Sequence, residues 1–187
     1  SNAAIFVEKI INEKHMTIRS YIAENRARFM EEWASLIRIP SISCQPAHKD
    51  DMLRCAERWR ELLLEAGAQH AEVMPSAGNP FVYAEYSPME VRGERLEVKG
   101  ENIPTVLVYS HYDVMPVEPL DLWHSNPWEP SIRDGRLYAR GADDDKGQSF
   151  MHIKAFEAMC ATDSLPCNVK FMLEGEEEIG SPSLYGF

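Results

Sequence analysis

The sequence predicts an α/β fold, namely a three-layer sandwich with a mixed, mostly parallel sheet and helices on both faces. Amphipathic helical segments alternate along the chain with short strands, which is the pattern of α/β domains. Residues 105–110 form a continuous apolar run, typical of a strand buried on both faces of a sheet, and residues 168–173 form a second such strand. With 187 residues, the chain is long enough for one domain with its own core.

Three helices are predicted from apolar residues that recur at helical spacing. The first spans Ile18–Ile37 and ends before Pro40. The second spans 51–66, and Gly67 follows it where a C-terminal cap belongs. The third spans 147–161 and turns these side chains inward: Phe150, Ile153, Phe156 and Cys160.

Further strands are short. Residues 71–74 and Phe81–Tyr86 are β candidates, and 88–100 are polar, which favours a loop or an edge hairpin. Asp134-Gly135 is a hairpin-turn signal between the segments 131–133 and 136–139.

The bulk composition excludes some classes of partner. Hydrophobic residues make up 44% and charged residues 26% of the chain, as in ordinary soluble globular proteins. The net charge of −11 argues against nucleic-acid binding, because phosphate binding needs clustered Lys and Arg. No apolar run is long enough to cross a membrane. The four cysteines form no C-x-x-C pair, which favours a reducing, cytoplasmic setting.

Three clusters of acidic or histidine residues follow buried strands or enter a helix, where open α/β sheets bind their ligands. The first contains His111 and Asp113, directly after the strand at 105–110. Residues two apart emerge on one side of an extended chain, so Asp113 can accept the second ring N–H of a metal-binding His111.

The other two clusters are runs of adjacent carboxylates. An Asp-Asp-Asp run at 143–145 enters the third helix, and a Glu-Glu-Glu run at 176–178 follows the strand at 168–173. Each run alone is compatible with a solvated acidic surface or, for the aspartates, with the favourable field at a helix N-terminus. Three clusters together predict a shared cation site, whose histidine and carboxylates suit zinc, manganese or cobalt. The residue pattern alone does not choose among the three aspartates or among the three glutamates.

The remaining histidines have no ligand partner at suitable spacing. Trp123 and Trp128 are interpreted as packing or loop residues rather than as substrate platforms.

These clusters lie in motifs that resemble those of one metallopeptidase family. The motifs are SHYDVMPVEPLDLWHSNPWEP, DGRLYARGADDDKGQ and EGEEEIGSPSL, in that order along residues 110–184. They resemble the zinc peptidase family that contains glutamate carboxypeptidase, aminoacylase and the cytosolic nonspecific dipeptidases. The HYDV-x-P and RGA-x-DDKGQ motifs are most similar to the dipeptidase branch.

The resemblance assigns roles to individual residues. It implies three metal ligands: His111, Asp144 and Glu178. It also implies that Asp113 orients His111, that Asp144 bridges both metals, and that a cis peptide bond joins Asp144 to Asp145. Glu177 is then the general base.

The same resemblance implies the reaction. Two zinc ions, or manganese or cobalt, hold a water that hydrolyses the amide bond of a dipeptide or small peptide. Membrane and nucleic-acid partners are not expected, and the resemblance is compatible with a homodimer of the full-length protein. The alternatives are a deacylase of N-acyl amino acids or a carboxypeptidase of the same family, and a non-catalytic interaction module.

Members of this family are more than twice as long as the chain. We therefore expect 1–15 to be a tag scar and leader of uncertain origin and 16–187 to be the N-terminal part of a catalytic domain. The lid domain and the rest of the catalytic domain would lie outside it. On this interpretation the ligand set is incomplete, the chain alone is inactive, and apolar surface is exposed.

Overall fold

A computed structural model of the protein describes residues 16–88 and 103–186. The predictions for residues 1–15 and for most of the segment 88–100 concern parts of the chain outside these ranges. The described residues form three α-helices and six strands: α1 (Ile18–Ile37), α2 (Lys49–Glu65), β1 (His70–Met74), β2 (Phe81–Tyr86), β3 (Thr105–His111), β4 (Ser131–Arg133), β5 (Arg136–Tyr138), α3 (Lys146–Ala161) and β6 (Asn168–Glu174).

The helices match the predicted segments closely. α1 has the predicted bounds and begins with a capping box, in which Thr17 and Ser20 exchange hydrogen bonds between side chain and backbone. α2 begins two residues before its predicted start and ends one residue before its predicted end, at Glu65. Gly67 follows it with φ +112, a conformation that glycine adopts without steric cost.

In the part of the chain that the structure describes, the main sheet has four strands in the order β1-β2-β6-β3. β1 pairs antiparallel with β2, β2 pairs antiparallel with β6, and β3 runs parallel to β6. The predicted α/β class and the mixed sheet are confirmed. Among the described strands, however, only one of the three pairings is parallel, whereas a mostly parallel sheet was predicted.

All three helices pack on the same face of this sheet. Their core side chains form one cluster with alternate residues of β2 and β6, including Trp59, Val82, Ile153 and Phe171. The opposite face carries half-exposed polar groups such as Lys170 and Glu85, whose charged atoms are 4.0 Å apart. The described residues therefore form two layers, one of helices and one of strands. They include no helix on the other face of the sheet, where the third layer was predicted.

Strand β3 differs from its prediction in burial. It was expected to be buried on both faces, yet Leu107 is 61% exposed, and Val106 and Tyr109 are also exposed. The physical reason is its position, because β3 lies at the edge of the sheet and pairs with β6 alone among the described strands. The C-terminal end of β3 differs from the rest of the strand in burial, because Ser110 and His111 are buried.

The second sheet is the predicted hairpin of β4 and β5. Its turn residues Asp134 and Gly135 have φ values of 50° and 74°, as a tight two-residue hairpin requires. In the part of the chain that the structure describes, none of the helices combines the length and apolar character needed to span a bilayer.

Candidate metal centre

The three predicted clusters meet at one end of the sheet. His111 ends β3, Asp144 immediately precedes α3, and Glu178 lies in a short 3-10 turn after β6. β3 and β6 are parallel neighbours, and His111 at the end of β3 is paired with Glu174 at the end of β6. The segments that follow the two strands therefore leave the sheet at the same end. One ligand atom from each of His111, Asp144 and Glu178 lies within 4.8 Å of the others.

The imidazole of His111 is held on one side and open on the other. Nδ1 lies 3.1 Å from the main-chain oxygen of Asp113 and 3.2 Å from its Oδ1. Nε2 lies 3.2 Å from Asp144 Oδ1 and 3.9 Å from Glu177 Oε2. Because Nδ1 is engaged by Asp113, Nε2 is the nitrogen that faces the acidic cluster and is available to a metal.

Asp113 connects two of the three clusters. Its carboxylate is fully buried and accepts the backbone N–H groups of Glu177 (3.2 Å) and Glu178 (3.1 Å), in addition to its contact with His111. Free N–H groups at the start of a helical turn are natural partners for a carboxylate. One side chain therefore fixes both the ring of His111 and the turn that carries the two glutamates.

The three aspartates at 143–145 occupy different environments. Asp145 is buried, and its Oδ2 accepts the backbone N–H of His111 (3.0 Å) and the hydroxyl of Ser149 (2.8 Å). Asp144 points outward with 73% of its side chain exposed and faces His111. Asp143 is exposed and lies beside a neighbouring cavity. The peptide bond between Asp144 and Asp145 is cis, as the resemblance implied.

A close approach of the backbone fixes the start of α3. A Cβ on Gly147 would lie 2.1 Å from the carbonyl oxygen of Ala142, so only glycine fits this position. Lys146 is fully buried, and its Nζ donates to the carbonyl oxygens of Leu36 (2.9 Å) and Ile39 (2.6 Å) at the end of α1. The segment next to Asp144 is therefore anchored to the rest of the core.

The three glutamates at 176–178 also separate. Glu176 is buried and turned away from the cluster, and its carboxylate accepts the N–H groups of Asn79 (2.9 Å) and Ser183 (3.1 Å). Glu177 is half-exposed and lies beside His111, and Glu178 is partly buried. The structure thus places Glu177 and Glu178 at the centre and assigns Glu176 to loop packing.

One group near the centre was missed by the sequence reasoning. Glu174 is completely buried, and its Oε1 accepts the hydroxyls of Ser181 (2.8 Å) and Tyr109. Its Oε2 has no hydrogen-bond partner among the described residues. Burial and the hydrogen bond to Glu174 raise the pKa of Tyr109 to about 12. The available signal was the position of Glu174 at the end of a buried strand, but its partner Tyr109 is distant in sequence.

The electrostatics of the centre indicate a surplus of negative charge. Burial by itself lowers the pKa of His111, but the hydrogen bond and charge of Asp113, with the charges of Asp145 and Glu177, raise that pKa to about 9. Burial and then the charge of Asp144 raise the pKa of the Glu178 carboxyl. Both raised pKa values mean that the side chains hold their protons more tightly because several carboxylates lie close together. A bound cation would neutralise this negative charge.

The donor set fits zinc. It offers one imidazole nitrogen and carboxylate oxygens with an oriented histidine behind them, and no thiolate lies among the grouped donors within the described residues. Mn²⁺ and Co²⁺ accept the same nitrogen and oxygen donors.

An oriented histidine beside clustered carboxylates at one end of an α/β sheet is a donor arrangement suited to a metal-dependent hydrolase. Residues 107–186 match the model of peptidase family M20/M25/M40. This match confirms the resemblance seen in the motifs.

Two curated relatives are dipeptidases. The chain is 32% identical over 170 residues to a cysteinylglycine-S-conjugate dipeptidase from Corynebacterium striatum, which covers 90% of this chain and 35% of that protein. It is 31% identical over 177 residues to human Beta-Ala-His dipeptidase, which covers 88% of this chain and 33% of that protein.

Two solved structures share the fold. Human carnosine dipeptidase 1 superimposes with a TM-score of 0.77 at 28% identity, over 90% of this chain and 36% of that one. An M20-family metallo-carboxypeptidase from Sulfolobus solfataricus gives a TM-score of 0.71 at 32% identity, over 84% of this chain and 33% of that one. The chain thus spans about a third of the length of these relatives.

Proposed function

We propose that the natural protein containing this chain hydrolyses the amide bond of dipeptides or other small peptides at a centre that holds two zinc ions. The observation that carries the proposal is the convergence of His111, Asp144 and Glu178, with the carboxylate of Glu177 beside them. The match to the M20/M25/M40 family and the dipeptidase relatives support the substrate class.

Three residues would hold the metal: His111, Asp144 and Glu178. When bound, zinc lowers the pKa of a water molecule and polarises the amide carbonyl. The family resemblance implies that Asp144 would bridge two ions, and its carboxylate is exposed beside His111. A bridging carboxylate reduces the repulsion between two closely spaced dications.

Glu177 is proposed as the general base. Its carboxylate is half-exposed and within 3.9 Å of His111, so it reaches the same space as the proposed ligands and remains accessible to water. It would take a proton from the attacking water and return it to the nitrogen of the leaving amine. Asp113 would fix the positions of the His111 ring and of the Glu177 backbone, because its carboxylate forms hydrogen bonds with both.

A second substrate class uses the same chemistry. N-acyl amino acids also present an amide to the metal centre, and the similarity to a metallo-carboxypeptidase and to succinyl-diaminopimelate desuccinylase of Thiobacillus denitrificans, which is 41% identical over 81 residues, favours keeping it as an alternative.

The test is hydrolysis by the natural gene product. The protein is stripped with chelator, restored with zinc, and given dipeptides beside N-acyl amino acids. Zinc-dependent cleavage of dipeptides is expected. Preference for acyl substrates would keep the centre but change the substrate class. Failure to cleave either substrate with metal bound would contradict the proposal.

A further inference from the structure

Glu174 ends β6 on the face of the sheet that lies opposite the helices. Side chains alternate along a strand, and Phe171 and Leu173 are buried in the core on the helix side. On the opposite face of β6, Lys170 is exposed and Met172 is half-buried. Glu174 belongs to this second set, yet it is completely buried. A carboxylate therefore occupies a buried position on the more polar and exposed face of this strand.

The hydrogen bonds of Glu174 use only one of its two oxygens. Oε1 accepts the hydroxyl of Ser181 at 2.8 Å and the hydroxyl of Tyr109. Oε2 forms no hydrogen bond with the residues that the structure describes. Burying a carboxylate is unfavourable for folding, and its hydrogen bonds offset that cost only in part. The stability of the fold alone therefore does not account for a glutamate at this position.

The partner Ser181 closes the chain segment that carries the proposed base. It follows the short 3-10 turn Glu177–Ile179, and its N–H donates to the carbonyl oxygen of Glu176 at 2.8 Å. Gly180 and Ser181 have φ values of 88° and 53°. This left-handed conformation is unfavourable for a residue with a Cβ atom, such as serine. The hydrogen bond to Glu174 stabilises Ser181 in that conformation.

The turn 176–181 is thus attached to the sheet at both ends. At its start, the carboxylate of Asp113 accepts two backbone N–H groups of the turn, at 3.2 and 3.1 Å. At its end, Glu174 accepts the hydroxyl of Ser181, and Glu174 is itself the β6 partner of His111 on β3. Loss of either attachment would leave the turn fixed at one end only.

We propose that Glu174 is a positioning residue for the candidate centre, which acts through Ser181 to hold the turn 176–181 and thereby the carboxylate of Glu177 beside His111. Glu174 is not among the grouped metal donors of the described residues, so the turn is its route to the centre. The inference rests on the proposed function for the role of Glu177, but the attachment of the turn does not depend on catalysis.

The first test measures amide hydrogen exchange in the turn 176–181 by mass spectrometry, on the natural gene product in the presence of chelator. Glu174→Met keeps the length of the side chain but removes the acceptor, so exchange in the turn should become about 10-fold or more faster. Glu174→Gln keeps an acceptor oxygen and should have a smaller effect. Unchanged exchange in Glu174→Met would overturn the inference.

A matched pair of serine variants locates the contact. Ser181→Ala removes the other partner of the same hydrogen bond and should also accelerate exchange in the turn. Since Ser181 is only partly buried, this variant keeps the inference testable if Glu174→Met does not fold. Ser183→Ala is the control, because the Ser183 hydroxyl forms no hydrogen bond with the described residues and its N–H is retained. Equal effects of the two serine variants would contradict a specific contact.

Kinetics distinguish positioning from general destabilisation. In the zinc-loaded natural gene product, Glu174→Met and Ser181→Ala should each lower kcat for dipeptides by about 10- to 100-fold with little change in KM. The double variant should be no slower than Glu174→Met alone, because both substitutions remove the same hydrogen bond. Effects that multiply in the double variant, or an unchanged kcat in Glu174→Met, would overturn the inference.

The two measurements separate this inference from the proposed function. If the protein cleaves dipeptides but neither exchange in the turn nor kcat depends on Glu174, the inference fails and the proposed function stands. If exchange in the turn depends on Glu174 and Ser181 but no amide is cleaved, the attachment of the turn stands and the proposed function fails.

Discussion

Chemically identical carboxylates take opposite roles in this centre, and the difference arises from their hydrogen-bond partners. Four are buried and accept protein N–H or O–H groups: Asp113, Asp145, Glu174 and Glu176. Three others reach the open cluster: Asp144, Glu177 and Glu178. The sequence pattern located both acidic runs but left the choice within each run open, because some of the donors, such as the N–H groups of His111 and Asn79, are distant in sequence.

The proposed role of Glu177 as general base leads to a first prediction. Glu177→Gln in the natural gene product should lower kcat by about 10²- to 10⁴-fold, because the amide cannot accept the proton of the attacking water. Zinc content, measured by atomic absorption after dialysis, should remain that of the unmodified protein. Glu178→Gln is the matched comparison and should lose zinc. Loss of zinc from Glu177→Gln would show that this residue is a ligand and not the base.

The contact of Asp113 with His111 leads to a second prediction, which concerns both the zinc affinity of the centre and the pKa of His111. Asp113→Asn keeps the shape but removes the charge, so the pKa of His111 in the metal-free chain should fall from about 9 towards its ordinary value of 6.5. Zinc affinity should fall by about 10- to 100-fold, as for other partners that orient a histidine ligand. NMR titration of the imidazole and calorimetry measure the two effects.

The control for that experiment is Asp121→Asn, which removes the same charge from an exposed position. It should change neither the titration of His111 nor the zinc affinity. If Asp113→Asn behaved like Asp121→Asn, Asp113 would not be the group that orients the histidine.

At the scale of elements, apolar periodicity predicted the helices but not the charged contact between them. Phe150, Ile153 and Phe156 are buried in α3 as predicted. Lys154 and Glu157 are also buried there, where they meet Glu32 and Arg28 of α1. Charged residues in a helix are ordinarily assigned to its solvent face, so only the packing of the two helices reveals this ionic cluster.

The α1–α3 cluster predicts how stability depends on pH. Burial by itself raises the pKa of Glu157, but hydrogen bonds from Arg28, Lys154 and Tyr21 outweigh it and hold that pKa below the ordinary 4.5. A carboxyl whose pKa is lowered by folding stabilises the protein above its unfolded pKa. We therefore expect this contribution to be complete at pH 7 and to be lost as the pH falls below about 4.5.

Glu157→Gln isolates that contribution. At pH 7 it should lower the free energy of unfolding by about 2 kcal/mol, less than for a lone buried ion pair because Lys154 keeps Glu32 as a partner at 2.5 Å. The difference from the unmodified chain, measured by urea unfolding, should shrink in acid. A difference that stays constant from pH 7 to acid would contradict the assignment.

At the scale of the whole molecule, the alternation of helices and strands was sufficient for the fold class but not for the sheet order. The apolar run of β3 was interpreted as a central strand, yet β3 lies at the edge among the described strands. A run of apolar residues indicates that a strand will be buried. Which strand lies beside it depends on backbone pairing between residues far apart in sequence. The three-layer prediction depends on the same pairings, and the described residues form two of the three predicted layers.

The exposed side chains of β3 predict that the 187-residue chain self-associates. Val106, Leu107 and Tyr109 are 46%, 61% and 47% exposed, and edge strands with apolar side chains favour contacts between copies. The net charge of −11 opposes association, so sedimentation velocity should show larger species at higher protein concentration and at higher salt, where repulsion is screened.

Leu107→Lys should shift the chain towards the monomer. Ile132→Lys, on the β4–β5 hairpin and 64% exposed, adds the same charge away from the sheet edge and should shift it less. Equal effects of the two variants would mean that net charge, and not the edge of β3, controls association.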